Sequence, residues 1–334
     1  MSFESQQDVE RKILTILKVL NNAQGPTGSR LIAKRLLEHG VDLSERAIRY
    51  HLKLTDERGL TQLVRDRDGR NITEKGKREI EHALVSDKIG FVISRIELLA
   101  YRTNFDYEKA VGVLPVNIST FPKAKFQKAL EIMAPAFEKG LCVSRLVAVA
   151  RGGQRLGEAI IPEGRVGLAT VCSILINGVL LKTGIPMDSK FGGIMQVRDG
   201  APVRFTDLIH YNGTSLDPSE IFIKAKMTNV RGVVSSGEGA ILANFREIPA
   251  ICRPTAEAVF EGLKKNGFHG LFAMGDTSSK VCETNVELNK VGIILTGGLN
   301  PVAAAAEAGI ECDNHSMSTI LDYGELKDYR KLLA

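Results

Sequence analysis

Two short turns of small and polar residues follow strand-like segments, and their composition suits them to bind a small anion. Each segment begins Val-Gly and leads directly into an apolar helical pattern, at residues 166–185 and 291–310. Backbone amides at a helix start bind anions well, and small side chains let a ligand approach them. The candidate ligand residues are therefore Thr170, Cys172, Ser173 and Asn177 in the first segment, and Thr296, Gly297, Gly298 and Asn300 in the second. The same glycines, with Asn300 as N-cap before Pro301, would also be expected if they only turned the chain.

Three further loops are candidates to bring cations or amide donors to such a ligand. Arg151 is followed by two glycines, Arg165 immediately precedes the first Val-Gly segment, and residues 235–239 read SSGEG. The last of these lacks the Lys-Ser/Thr pair of a phosphate-binding loop. We include Arg151 among the predicted ligand-binding residues.

The sequence shows no nucleophile triad and no cluster of carboxylates or histidines with metal-ligand spacing. Cys172 stands at a predicted helix start, a position that lowers a thiol pKa, and His210, His269 and His315 are possible partners in space. A cytosolic enzyme that uses Cys172 as nucleophile on a small anionic substrate is therefore the alternative function. A buried cysteine more often only packs. We predict a protein that is not an enzyme and has neither metal nor cofactor.

The segment 43–60, LSERAIRYHLKLTDERGL, predicts a helix with a cationic side. Residues at i, i+3, i+4 and i+7 share one side of a helix, and here they are Arg46, Arg49, Tyr50 and Lys53. The apolar side carries Ala47, Ile48, Leu52 and, less cleanly, His51. Ser44 precedes the helix as its N-cap. Such a cationic side suits DNA phosphates and base edges, although a solvated helix face has the same composition.

The elements around this helix have the order of a winged helix-turn-helix. Two helical patterns precede it, at residues 9–20 and from about 27 or 29 to a cap at Gly40. Two short strands follow, around an Asp68-Gly69 turn, and Thr73 caps a fourth helix. In this arrangement the third helix enters the major groove of DNA and the wing contacts phosphates. The predicted DNA-binding residues are Ser44, Arg46, Arg49, Tyr50, Lys53, Arg65, Arg67 and Arg70, and a winged helix that only docks proteins is the other possibility.

Composition restricts the protein class. The chain has 334 residues, 44% hydrophobic and 25% charged, and no apolar run near the roughly 20 residues of a membrane span. The first residues do not resemble a signal peptide, and five cysteines without a CxxC pair indicate reduced thiols, so we expect a cytoplasmic protein. A net charge of +5 is too small for indiscriminate nucleic-acid binding, so DNA contact requires a shaped local surface.

The chain after the winged helix repeats itself at a shift of 125 residues. Segments 94–105 and 166–185 align with segments 219–230 and 291–310. Between these blocks the shift grows by two residues, so that Pro122 aligns with Pro249. Each half begins with a helix, at about 89–103 or 216–228, and an extended stretch follows, which in the second half starts at residue 231. A longer helix, two strands, another helix and a last extended piece complete each half.

This pattern predicts an α/β (α+β) fold with helices packed on mixed sheets and two tandem repeats related by a pseudo-twofold axis. We expect three domains: a DNA-binding winged helix at 1–85, and an effector module made of repeat 1 at 86–214 and repeat 2 at 215–334.

A winged helix followed by GLATVCSILINGVLLKTGIPMDSKFGGIMQV and later GLNPVAAAAEAGI resembles the archaeal nitrogen-regulation repressors called NrpR. The resemblance covers nearly the whole chain. It implies a homodimeric repressor of nitrogen-assimilation genes that binds a palindromic DNA operator and is released by the effector 2-oxoglutarate. Some members of that family carry two effector modules and this chain carries one, so the resemblance also implies a possible second effector-module protein as partner.

Overall fold

The computed structural model describes residues 6–23, 25–37, 41–65, 69–82 and 90–333. The chain divides into two compact units, Met1–Ile89 and Gly90–Ala334. Within the described ranges, no helix has the length and apolar character needed to cross a membrane.

The N-terminal unit has the element order of a winged helix, which confirms that part of the predicted fold. Its elements are α1 (Gln6–Asn21), α2 (Ser29–Leu37), α3 (Glu45–Glu57), β1 (Thr61–Arg65), β2 (Gly69–Ile72) and α4 (Glu74–His82). β1 and β2 form an antiparallel pair. The apolar sides of the first three helices bury Ile16, Leu20, Ile32, Ile48 and Leu52 in one cluster.

Two helix caps of this unit form as expected. The Ser44 hydroxyl accepts the backbone N–H of Ala47 at 3.2 Å, and the Thr73 hydroxyl accepts that of Gly76 at 3.0 Å. Side-chain acceptors at these positions satisfy donors that a helix start leaves unpaired. The predicted cap at Gly40 and the first residue of the predicted Asp68-Gly69 turn lie outside the described residues.

The C-terminal unit alternates helices and strands. Its helices are α5 (Phe91–Arg102), α6 (Phe126–Glu138), α7 (Ile174–Lys182), α8 (Pro218–Lys224), α9 (Val230–Ser236), α10 (Arg253–Lys265) and α11 (Asn300–Glu307). Its strands are β3 (Val113–Pro122), β4 (Leu146–Arg151), β5 (Arg155–Leu156), β6 (Ala159–Ile160), β7 (Arg165–Val171), β8 (Asp188–Arg198), β9 (Ala201–His210), β10 (Gly239–Pro249), β11 (Leu271–Met274), β12 (Lys290–Thr296), β13 (Asp313–Asp322) and β14 (Lys327–Asp328).

Two five-stranded sheets form this unit, in the orders β13-β3-β7-β4-β14 and β11-β12-β10-β8-β9. All of their described neighbours are antiparallel, so the prediction of mixed sheets is wrong. The reason is that β7 lies between β3 and β4, the two strands joined through α6. The second half does the same with β12 between β10 and β11. Each half is thus a split β-α-β unit, in which the crossover strands run the same way but never pair.

The two halves exchange a long strand. β8 belongs to the first half in sequence but pairs with β10 of the second, and β13 belongs to the second half but pairs with β3 of the first. The registers match across the repeat. Ser119 lies opposite Leu168 in the first half, and Arg246 lies opposite Ile293 in the second, and Ile293 comes 125 residues after Leu168. The shared strand order confirms the predicted tandem repeat, and the exchange places both halves in one folding unit.

Three local expectations are wrong. The helix expected over 216–228 ends at Lys224, and the stretch expected to be extended from residue 231 begins with α9. Helix α9 forms there because the Glu307 carboxylate accepts the N–H groups of Val230 and Arg231 at 2.8 and 3.0 Å. Asn300 is not the N-cap of α11, because Leu299 holds that position and the Asn300 side chain bonds elsewhere.

Candidate DNA-binding surface and ligand pocket

Helix α3 presents its cationic side to solvent and its apolar side to the core. Ile48 and Leu52 are fully buried, whereas Arg46 and Arg49 are exposed and Tyr50 is 59% exposed. None of the described residues forms a hydrogen bond or ion pair with the side chain of Arg46 or Arg49. Lys53 is exposed as well and has a weak contact, 3.8 Å, with Glu57.

The opposite end of α3 is fixed to the rest of the unit by ion pairs. Arg58, which follows the helix, donates to both carboxylate oxygens of Glu10 at 2.9 and 3.0 Å and lies 3.6 Å from Glu79. Helices α1 and α4 are therefore tied to the end of α3. The exposed cations stand on a helix whose position is held by packing and by these contacts.

The wing residues differ in their surroundings. Arg70 donates from Nε to Asp56 at 2.7 Å, and its backbone exchanges two hydrogen bonds with Thr27. This arginine therefore holds the wing against α3 and is less available for phosphate than an unpaired side chain. Arg65 ends β1, but its side chain and the whole of Arg67 lie outside the described residues.

A small pocket lies in the C-terminal unit where two strand-to-helix turns meet. The turn from β7 to α7 lines it with Cys172, Ser173 and Ile174, and the turn from β12 to α11 lines it with Gly297, Gly298 and Leu299. These are the two turns that the sequence suggests for anion binding. The structure therefore brings four predicted ligand residues together, Cys172, Ser173, Gly297 and Gly298, although their binding of a ligand stays a prediction.

Equivalent positions of the two repeats line the pocket. Ser173 and Gly298 are 125 residues apart and occupy equivalent places in the two turns. Asn117 of β3 and Asn244 of β10 also line the pocket, and they lie opposite Thr170 and Leu295, which are again 125 residues apart. Within the described chain, the backbone N–H groups of Ser173 and Gly298 donate no hydrogen bond. Two residues with unpaired helix-start amides thus line one pocket.

Arg246 is a buried cation in this pocket and was not predicted from the sequence. Its side chain is 1% exposed, donates from Nη1 to Ser189, and reaches the Ser173 hydroxyl from Nη2 at 3.4 Å. Its Nε has no hydrogen-bond partner, and no carboxylate of the described residues lies within 4.0 Å. Burial lowers the pKa of Arg246, but arginine stays protonated in proteins. An ion without its counter-ion is costly to bury, so this cation indicates a site for an anion.

Polar side chains extend the pocket beyond Arg246. The Tyr211 hydroxyl donates to Asn244 Oδ1, and the Tyr211 ring lies 5.8 Å from the Arg246 guanidinium carbon. Asp217 also lines the pocket, with one oxygen accepting the N–H groups of Ser219 and Glu220 at the start of α8. Desolvation raises the pKa of Asp217, which favours its neutral form. A signal for Arg246 existed in the sequence: a cation inside the largely apolar stretch AILANFREIP.

The glycines of the second turn have a packing role as well. A Cβ atom on Gly298 would stand 2.3 Å from the Val171 carbonyl oxygen, and one on Gly297 would stand 2.6 Å from Leu242 Cβ. Two turns approach closely there, and neither position has room for a side chain. The chain-turning alternative for these glycines is therefore also supported.

The other predicted ligand residues lie beside the pocket or away from it. Thr296 donates weakly to the Gly270 carbonyl at 3.4 Å, and Thr170 accepts from Asn117 at the same distance. The Asn177 amide donates to Ser189 at 3.0 Å, and Ser189 also bonds Arg246. Arg151 is exposed at the end of β4 and does not line the pocket.

Asn300 is fully buried and has a structural set of partners. Its Oδ1 accepts the Leu242 N–H at 2.8 Å, and its Nδ2 donates to the carbonyls of Leu141 and Leu242 at 2.8 and 2.9 Å. The side chain therefore joins the start of α11 to β10 and to the segment before β4.

Cys172 lacks the exposure and the lowered pKa of a nucleophilic thiol. Its side chain is 6% exposed, and burial raises its pKa to about 11 instead of lowering it. The expected lowering fails because desolvation outweighs the helix start. No histidine is among the pocket-lining residues in the described chain. The thiol-enzyme alternative therefore finds no support here.

Three carboxylates come together elsewhere, contrary to the sequence expectation of no such cluster. Asp188, Glu247 and Glu287 lie within metal-ligand range of one another, but Lys190 is 2.7 Å from Asp188 and 3.3 Å from Glu247. Lys290 lies 3.4–3.9 Å from the same carboxylates. Two ammonium groups thus offset two of the three negative charges of this cluster.

Comparison with known proteins agrees with both units. Residues 89–328 match the family described as NrpR regulatory domains NRD1 and 2, and residues 14–80 match the ribonuclease R winged-helix domain. A crystal structure titled as a nitrogen repressor-like protein from Methanococcus jannaschii superposes with a TM-score of 0.61 at 26% identity, covering 72% of this chain and 99% of that one.

Full-length relatives are similar over almost the entire chain. The global nitrogen regulator NrpRI of Methanosarcina mazei is 39% identical over 96% of this chain and 98% of its own length. The global nitrogen regulators NrpR of Methanococcus maripaludis and Methanocaldococcus jannaschii are each 33% identical over 98% and 97% of this chain, which spans 56% of their length. With its regulatory-domain match over residues 89–328 and these relatives, the chain belongs to the NrpR family.

Proposed function

We propose that the protein is a transcriptional repressor of nitrogen-assimilation genes that binds operator DNA through α3 of its winged helix. The observation that carries the proposal is the exposed side of α3, where Arg46, Arg49 and Tyr50 face solvent opposite a fully buried apolar side. Similar proteins are titled global nitrogen regulators. Arginines on such a helix can reach guanine edges or phosphates in the major groove.

The effector of the repressor is 2-oxoglutarate, bound in the C-terminal unit. The pocket at the two helix starts supports this part of the proposal, because its unpaired amides and buried guanidinium suit a small carboxylic acid. In a homodimer on a palindromic operator, the two α3 helices must reach half-sites a fixed distance apart. Effector binding that changes this distance would release the operator. A second effector-module protein is a further possible partner, since two relatives are longer than this chain.

The experiment measures binding of the full chain to labelled DNA from upstream of its own gene, over a range of salt concentrations. Arg49→Ala should weaken binding by about 1–3 kcal/mol if the side chain reads a base, and should mainly reduce the salt slope if it contacts phosphate. Lys77→Ala on α4 is the matched control, because it removes the same charge from a lysine that pairs with Glu74. Equal losses for both variants would mean that α3 is not the DNA-reading element.

The effector part is tested in the same assay with millimolar 2-oxoglutarate. Release of wild-type protein from the operator supports the assignment. Unchanged affinity would rule out 2-oxoglutarate as inducer while leaving DNA binding by α3 intact. Salt-independent or absent DNA retention would instead favour a winged helix that docks protein.

A further inference from the structure

We propose that Arg246 is the single anion anchor of an otherwise pseudo-symmetric pocket, so that a small acid binds there in one orientation with a carboxylate on this guanidinium. The inference rests on the proposed function, in which the C-terminal unit senses an organic acid. It adds the residue that recognises the acid and the direction in which the acid lies.

The repeat itself identifies Arg246 as the element that breaks the symmetry. The position equivalent to Arg246 in the first half is Ser119, because the two residues lie opposite Ile293 and Leu168, which are 125 residues apart. Their partners on the exchanged strands, Ser189 and Asn314, are also 125 residues apart. The pocket therefore has paired asparagines and paired turns but only one cation. A ligand with a carboxylate at one end must place that end toward the second half.

The surroundings of Arg246 satisfy only part of its bonding capacity. A guanidinium has five N–H donors, and here two hydroxyls and one aromatic ring are its neighbours, with Nε left unpaired. A carboxylate would complete this set with charge-assisted hydrogen bonds, which are about twice as strong as neutral ones. The unpaired amides of Ser173 and Gly298 are then available to the rest of the acid.

Asp217 is the carboxyl group that lines the same pocket, and backbone donors offset part of its charge. One of its oxygens already caps α8 by accepting from Ser219 and Glu220. The unpaired amides of Ser173 and Gly298 suit a second oxygen-bearing group on the acid. The ligand class is therefore a small organic acid with such a group, and 2-oxoglutarate is the probe.

The test compares 2-oxoglutarate binding to the full chain by calorimetry with thermal unfolding in the absence of ligand. Arg246→Met keeps much of the side-chain volume and removes the charge, so affinity should fall by at least about 30-fold. Arg246→Lys keeps the charge without the planar fork and should lose about 10-fold. Ser119→Ala is the matched control, because it alters the equivalent position of the other half. Its affinity should equal that of the wild type.

Unfolding without ligand separates an anchor from a structural residue. Replacing an unpaired buried ion by an apolar side chain should leave the unfolding temperature of Arg246→Met no lower than that of the wild type, and up to about 6 °C higher. A lower unfolding temperature with unchanged affinity would overturn the anchor and leave the proposed inducer standing. If the wild type itself binds no 2-oxoglutarate, the inducer assignment fails, and a lowered unfolding temperature for Arg246→Met would then overturn the anchor separately.

Discussion

Asn300 tests whether a residue predicted to bind ligand is instead part of the framework. Asn300→Ala removes three hydrogen bonds, but the Leu242 carbonyl keeps the N–H of Gly297 at 2.8 Å as a donor. Two buried groups, the Leu242 N–H and the Leu141 carbonyl, therefore lose the Asn300 side chain. At about 1–3 kcal/mol for each unsatisfied group, the variant should lose about 2–6 kcal/mol of unfolding free energy.

Urea unfolding of the full chain, followed through the transition of the C-terminal unit, measures this loss. Thr296→Val is the matched control, because Thr296 is equally buried and its hydroxyl makes a single long hydrogen bond. It should change stability by less than about 1 kcal/mol. If Asn300→Ala were as stable as Thr296→Val and bound 2-oxoglutarate poorly, Asn300 would be a ligand residue and the structural reasoning would be refuted.

Three further predictions concern the wing, a buried acid and the thiol. Gly69→Ala should destabilise the wing by about 1–3 kcal/mol and weaken operator binding, because φ is +92° there and a Cβ would meet Thr27 at 2.3 Å. Urea unfolding measures the loss of stability, and operator affinity measures the loss of binding. Burial raises the pKa of Glu220 from 4.5 to about 7, so the fold should lose stability as the pH rises through that interval. Between about pH 5 and pH 8 the wild type should lose about 2 kcal/mol of unfolding free energy, and Glu220→Gln should not. Unfolding curves at the two pH values measure this difference. Alkylation at neutral pH should leave Cys172 unmodified by mass spectrometry, because its pKa is about 11.

The winged helix could be predicted because its signals are local. Caps at Ser44 and Thr73, helical periodicity and a glycine in the wing all concern neighbouring residues, and each pointed to the same fold. The repeat was visible for a similar reason, since a shift of the sequence on itself needs no knowledge of contacts.

Strand pairing and the key pocket residue could not be predicted in this way. Periodicity does not say which strand will lie beside which, so the exchange of β8 and β13 between halves is absent from the pattern. Arg246 stands inside a strand and meets Ser189 and Ser173 from distant parts of the chain. Its lack of a counter-ion is a property of the packed structure.

Coupling between the two units is tested most directly by measuring 2-oxoglutarate affinity of the wild-type chain with and without saturating operator DNA. If effector and operator oppose each other, DNA should weaken 2-oxoglutarate binding by the same factor by which 2-oxoglutarate weakens DNA binding. Equal 2-oxoglutarate affinities for the free and the operator-bound protein would contradict a repressor controlled from this pocket.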